Sequence, residues 1–251
     1  MRAATGLGNA TLLRLLATLQ DRGWVRRNLS DGQYELAHSL GGLLGEGARA
    51  HPLAELAAPI LLELRPRELG LPSDLSAVVA PGKVEIVEST RLRGPMAPAR
   101  TALGIRPSMV LSAHGRALLA FAGAEEVAAH LAAVMATGSR QERKWIEGGQ
   151  LEAELQRTRA RGYGLREPDY FVTRAFDPGP DLGAMAVPIR SASGIHGTLS
   201  LLWLRDDMTL DEVLDLGSLD QLRRAAARIG TAMDRAGIAA PRFAGAAGPG
   251  G

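Results

Sequence analysis

Cysteine is absent from the 251 residues, which excludes disulfides, thiol catalysis and cysteine-ligated zinc and suits a reducing cytoplasm. Long apolar runs are absent too. A membrane span needs roughly 18 such residues, and the richest stretch, Leu53 to Leu64, is broken by Glu55, Pro59 and Glu63. The start, Met1-Arg2-Ala3-Ala4-Thr5, lacks the apolar core of a signal peptide. Net charge is only +2. Residues 1–38 hold five arginines (Arg2, Arg14, Arg22, Arg26, Arg27) against Asp21, Asp31 and Glu35, so the remainder is neutral overall. Catalytic signatures are missing as well. No G-x-S-x-G elbow occurs, and the five histidines show no H-E-x-x-H or other metal spacing. Ser112, His114, Ser200 and Asp177 could be assembled into a triad only by imagination. The sequence therefore predicts a protein that is not an enzyme, with no metal or cofactor and no membrane partner.

What is present begins with Asn9 to Leu36. Leu12, Leu15, Leu16 and Leu19 recur at i, i+3, i+4 and i+7, one apolar face of a helix. Gly23 stops it, and Trp24-Val25-Arg26-Arg27 has strand chemistry. Asn28 to Gly32 is turn material with Asp-Gly at its sharpest point, and Gln33-Tyr34-Glu35-Leu36 reads as a returning strand. A helix followed at once by a two-stranded ribbon is the second half of a winged helix-turn-helix. A generic helix-hairpin with its leucines in a core has the same spacing. In the DNA-reading alternative, Asn9, Thr11, Arg14 and Thr18 face a groove, while Arg26 and Arg27 flank the ribbon near phosphates.

The run T-x-x-R-L-L-x-T-L-x-x-x-G-x-V-x-R, then G-x-Y-x-L, resembles the recognition helix and wing of IclR-type bacterial regulators. It is carried here by Thr11, Arg14, Leu15, Leu16, Thr18, Leu19, Gly23, Val25, Arg27, Gly32, Tyr34 and Leu36. The resemblance implies roughly 25 further residues ahead of Met1, since a recognition helix needs a positioning helix before it. The expectation is an incomplete winged domain over 1–38, with Leu12, Leu15 and Leu19 partly uncovered.

Farther on, glycine-spaced Leu40, Leu43 and Leu44 predict a linker helix within 39–50, and His51-Pro52 a boundary. Leu53 to Leu64 reads as a helix. Asp74 to Ala80 and Lys83 to Thr90 flank Pro81-Gly82 as a hairpin. A further strand is expected over Arg100 to Arg106, and helices over Ser112 to Phe121, Glu125 to Ala136 and Gly148 to Arg161. Gly183 to Arg190 and Ile195 to Leu204 form a second hairpin. Thr209-Leu210-Asp211-Glu212 is a capping box opening a long helix to about Ala236. Ala239 to Gly251 reads as a disordered tail. The fold class is α+β: a winged helix-turn-helix, a linker helix, and a body over 51–238 in which helices pack on an antiparallel sheet. The resemblance agrees, because IclR-type effector domains are similar to GAF-type ligand-binding domains. Its motifs here are Ser112-Ala113-His114-Gly115-Arg116-Ala117, Gly162-Tyr163-Gly164, and Ala186-Val187-Pro188-Ile189 with Gly197-Thr198-Leu199-Ser200.

In the family a small organic effector sits between the sheet and the helix opened by the S-A-x-G-R/K-A stretch. Ser112, Ala113 and His114 occupy that stretch, where helix-start N–H groups favour a carboxylate and His114 could donate to a carboxylate or a phenol oxygen. A helix-capping or solvent-facing histidine is the plainer alternative. Strand alternation puts His196, Thr198, Ser200 and Leu202 on one face and Ile195, Leu199, Leu201 and Trp203 on the other. The resemblance implies effector contacts at Ser200, Leu202 and Val187. From the longer segment between Gly164 and Met185 it implies a polar contact at Asp177, with Arg174 a second candidate. The words Leu71-Pro72-Ser73-Asp74 and Ala120-Phe121, with Trp145, resemble the branch that responds to hydroxyphenylpropionate and related aromatic acids. The partners implied are operator DNA, a small organic acid and a second copy of the chain in a homodimer or homotetramer. A stand-alone effector-binding domain that no longer reads DNA is the rival reading.

Overall fold

A computed structural model describes residues 5–37, 51–64, 71–91, 96, 102–168, 170 and 181–243. The N-terminal part is helix α1 (Asn9–Asp21) and a two-stranded antiparallel ribbon, β1 (Val25–Arg27) with β2 (Tyr34–Leu36). Gly23 takes a left-handed φ of 68°, which turns the chain from helix to ribbon at little steric cost. No residue of α1 is buried, and Leu13 and Leu15 are exposed.

The body is one five-stranded antiparallel sheet in the order β4-β3-β7-β6-β5, with helices on both faces. Its strands are β3 (Ser73–Ala80), β4 (Lys83–Ser89), β5 (Gly164–Leu165), β6 (Leu182–Ser191) and β7 (Gly194–Leu204). On one face, helix α2 (Pro52–Leu64) and the C-terminal helix pack against Leu75, Met185, Val187, Ile189, Leu199 and Leu201. On the other lie α3 (Ala113–Phe121), α4 (Ala124–Thr137), α5 (Arg140–Glu147) and α6 (Gln150–Arg161). Alternating apolar strands buried on both faces explain why almost every residue of β3, β6 and β7 is inaccessible.

Several expectations shift by local chemistry. The capping box at Thr209 and Glu212 is present with both reciprocal bonds. The helix it opens is short, α7 (Leu210–Asp215), because Gly217 turns left-handed at φ 69° before α8 (Ser218–Arg235) begins. Helix α5 was not foreseen, although Ser139 and Glu142 form a second capping box at its start. The strand expected over Arg100 to Arg106 is not formed by the described residues 102–106. They make a turn that exchanges two hydrogen bonds with Ile86, Gly104 N to Ile86 O and Ile86 N to Ile105 O. A bulge between Ile189 and Arg190, where Arg190 pairs with Ile195, places Ile195 in the cluster with Val78 and Leu118 rather than with Leu199. The expected tail is docked at its start: Ala240 is buried, its N–H donates to Ser193 Oγ, and Phe243 meets His130 edge-on at 5.6 Å. The predicted linker helix falls outside the described residues. Among the described residues no helix is long and apolar enough to cross a membrane.

Candidate functional site

Helix α3 is the element around which the candidate site forms. Ser112 caps it, its Oγ accepting from Gly115 N at 3.0 Å and donating to Ser108 O at 2.5 Å. Everything from Ala113 to Ala120 is buried. Close approach to the sheet depends on Gly164. A Cβ there would sit 2.4 Å from Ala113 O and 2.6 Å from Ala117 N. The seam is otherwise built from small and apolar side chains, Ala113 and Ala117 facing Ala184, Ala186 and Leu202.

His114 reaches from α3 onto three hydroxyls of the sheet. Its Nδ1 lies 3.1 Å from Ser76 Oγ and 2.7 Å from Thr198 Oγ1, which bond each other at 2.8 Å. Its Nε2 lies 3.1 Å from Ser200 Oγ, and Ser200 donates at 3.4 Å to the Asp74 carbonyl. This assigns the ring proton to Nε2, with Nδ1 accepting. Burial drives the histidine pKa down to about 4; nearby Asp74 opposes this and Arg91 adds to it. His114 is therefore neutral near pH 7, a hydrogen-bonding group rather than a counter-ion. The arginine beside it, Arg91, is committed. Arg91 Nε donates to Asp74 Oδ1 at 3.0 Å, its Nη2 pairs with Oδ2, and Ser89 Oγ donates to Oδ1 at 2.8 Å.

Of the residues singled out in the sequence, Ser112, Ala113, His114, Ser200 and Leu202 come together at this seam. Val187 does not. It packs with Met185, Ile189 and Leu199 on the opposite face, because its strand position is one residue out of step with Ala186. Asp177 and Arg174 lie outside the described residues. Asp74, Ser76 and Thr198 were missed as site residues. Alternation already put Thr198 beside Ser200, but Ser76 joins them only through the β3–β7 register, where it pairs with Thr198.

At the other end, Asn9, Arg14 and Thr18 are exposed on α1 and Thr11 is half-buried. Arg27 is exposed, its Nε donating to Gly32 O at 2.9 Å. Arg26 takes a different place from the one expected beside phosphates. It points inward, pairs with Glu35 and with the fully buried Glu88 of β4, and donates to Ala54 O at 3.2 Å. Two neighbouring residues of one strand face opposite ways, so only one of Arg26 and Arg27 could stay outside. Glu88 also accepts from Leu29 N at 3.4 Å and Ser89 N at 3.0 Å. Burial raises the Glu88 pKa despite the guanidinium beside it.

With this geometry in view, comparison with known proteins assigns the family. Among solved structures, a Rhodococcus protein assigned as a transcriptional regulator is similar at 24% identity and a TM-score of 0.58, covering 94% of this chain and 89% of that one. IclR of Thermotoga maritima is similar at 17% identity and a TM-score of 0.55, covering 92% and 87%. An IclR homolog of Microbacterium hydrocarbonoxydans, solved with 4-hydroxybenzoate, is similar at 22% identity and a TM-score of 0.52, covering 93% and 89%. These likenesses establish the shared fold. The family model for the C-terminal domain of the bacterial transcriptional regulator IclR matches residues 47–230, most of the chain, and the protein therefore belongs to the IclR family.

Proposed function

We propose that the chain is a DNA-binding regulator whose body senses a small organic acid, aromatic in class, at the seam between α3 and the sheet. The observation that carries this is the convergence of Ser112, Ala113, His114, Ser200 and Leu202 at one buried place, with a neutral imidazole among hydroxyls and alanines. Apolar walls with a few fixed polar groups are the chemistry of a small-molecule site. The Microbacterium homolog solved with 4-hydroxybenzoate supports an aromatic acid for a relative of this fold. Operator reading is assigned to α1 and its ribbon, through Asn9, Thr11, Arg14, Thr18 and Arg27, with 1–38, 39–50 and 51–238 as DNA-reading, linking and sensing units. Paired half-sites call for a homodimer or homotetramer.

The test is an operator shift with and without candidate acids. Arg14→Ala is expected to weaken DNA binding about tenfold, the worth of one good base or phosphate contact. An operator-independent chain that still binds the acid would instead favour a stand-alone sensor. His114→Leu is expected to weaken a hydroxylated aromatic acid about tenfold without unfolding the body.

A further inference from the structure

A cavity of about 460 Å3 opens beside the seam, sharing only Ala184 with its alanine cluster. It lies between α3, α6, the chain after β5 and the turn from β7 into α7. Four arginines line it, Arg116, Arg161, Arg166 and Arg205, against two carboxylates, Glu154 and Glu167. Both carboxylates are already spent. Arg116 Nη2 pairs with Glu167 at 2.8 Å, and Arg161 Nη2 pairs with Glu154 at 2.5 Å. Arg205 lies 3.6 Å from Asp181 at the surface.

Arg166 is different. No carboxylate of the described residues lies within ion-pair distance of it. Its Nη2 donates to the Tyr170 carbonyl, its guanidinium stacks 5.2 Å from the Tyr170 ring centre, and its buried Nε has no partner. Burial lowers its pKa to about 10; Tyr170 and Asp181 oppose the shift, and Arg91 and Arg205 add to it. Desolvated charges are normally paired, so a half-buried guanidinium with an orphaned Nε and no ion pair among the described residues, beside an open cavity, calls for an anion. Apart from Thr209, the rest of the wall is apolar: Leu165, Pro168, Ala184, Trp203, Met208 and Leu210. That combination disfavours a bare inorganic ion and suits an acid with an apolar body, and the volume falls within the range of small-molecule sites.

We propose that this cavity binds a small organic carboxylate, with Arg166 as its counter-ion and the Trp203, Met208 and Leu210 wall enclosing its apolar part. It is a site apart from the His114 seam, which offers no free cation among the described residues. The proposal does not depend on the seam binding anything.

Calorimetric titration of the full chain with 3-phenylpropionate, hexanoate and the neutral 3-phenylpropionamide tests it. The acids are expected to bind, and the amide about tenfold more weakly or worse. Arg166→Gln should weaken the acids about tenfold or more and Arg166→Lys less, since lysine keeps the charge but loses the planar fork. Met208→Trp, which fills the cavity from its rim with every charge intact, should abolish binding even if Arg166→Gln does not fold. Unchanged affinity in Met208→Trp, or no acid binding at millimolar concentration, overturns the proposal. Loss confined to His114→Leu also overturns it while leaving the seam reading in place.

Discussion

Acidification is expected to weaken the body through His114, and the size of the effect follows from its surroundings. The ring is held neutral by burial between α3 and the sheet, with a folded pKa of about 4 against 6.5 for a free histidine. Between those values the unfolded chain binds a proton that the folded one refuses. The stability that His114 contributes is therefore complete above about pH 6.5 and is lost as pH falls through the window toward about 4. One pKa unit corresponds to about 1.4 kcal/mol, so moving from about pH 7 to about pH 4.5 should cost about 2.5 kcal/mol. His130 and His196 are also shifted down by burial, and Glu88 up, so the wild-type slope alone is not specific. His114→Gln isolates the term. Urea unfolding of both proteins by circular dichroism at the two pH values gives the difference of differences, the other groups cancelling if they act independently. Their stability gap should be smaller at the acid pH by about 2.5 kcal/mol. An identical pH dependence in the two proteins would refute the claim that the ring is buried neutral.

Three further outcomes follow from single contacts. Arg26→Ala leaves Glu88 buried without its cation and is expected to cost about 3–5 kcal/mol, with earlier proteolysis in the ribbon than elsewhere; uniform protease sensitivity would show that the pair does not hold the ribbon to the body. Gly164→Ala forces a methyl against the α3 backbone and should destabilise by about 1–3 kcal/mol in urea, whereas an unchanged midpoint would mean that β5 can move away freely. Ser112→Ala removes the α3 cap and should cost about 1 kcal/mol, whereas Ser112→Thr, which keeps a hydroxyl able both to accept from Gly115 N and to donate to Ser108 O, should retain most of the stability. Retention in Ser112→Ala would assign the cap no weight.

The sequence by itself determined the elements whose signals are local. Leucine spacing and Gly23 defined α1, Pro81-Gly82 and the Ser191 to Gly194 turn placed both hairpins, and Ser112 and Thr209 marked helix starts. Such features depend on residues within a few positions of one another, so they can be read along the chain. The family motifs carried the seam in the same way, because Ser112 to His114 and Ser200 to Leu202 keep fixed strand and helix phases. What only the tertiary structure decided depends on register and burial. One bulge sent Ile195 to the other face, and one step of phase removed Val187 from the seam. Arg26 and Arg27 look alike in the chain, yet Glu88, 62 residues away, draws only one of them inside. Arg166 is one arginine among many until folding half-buries it and leaves its Nε without a partner, since desolvation is a property of the packed molecule and not of local sequence.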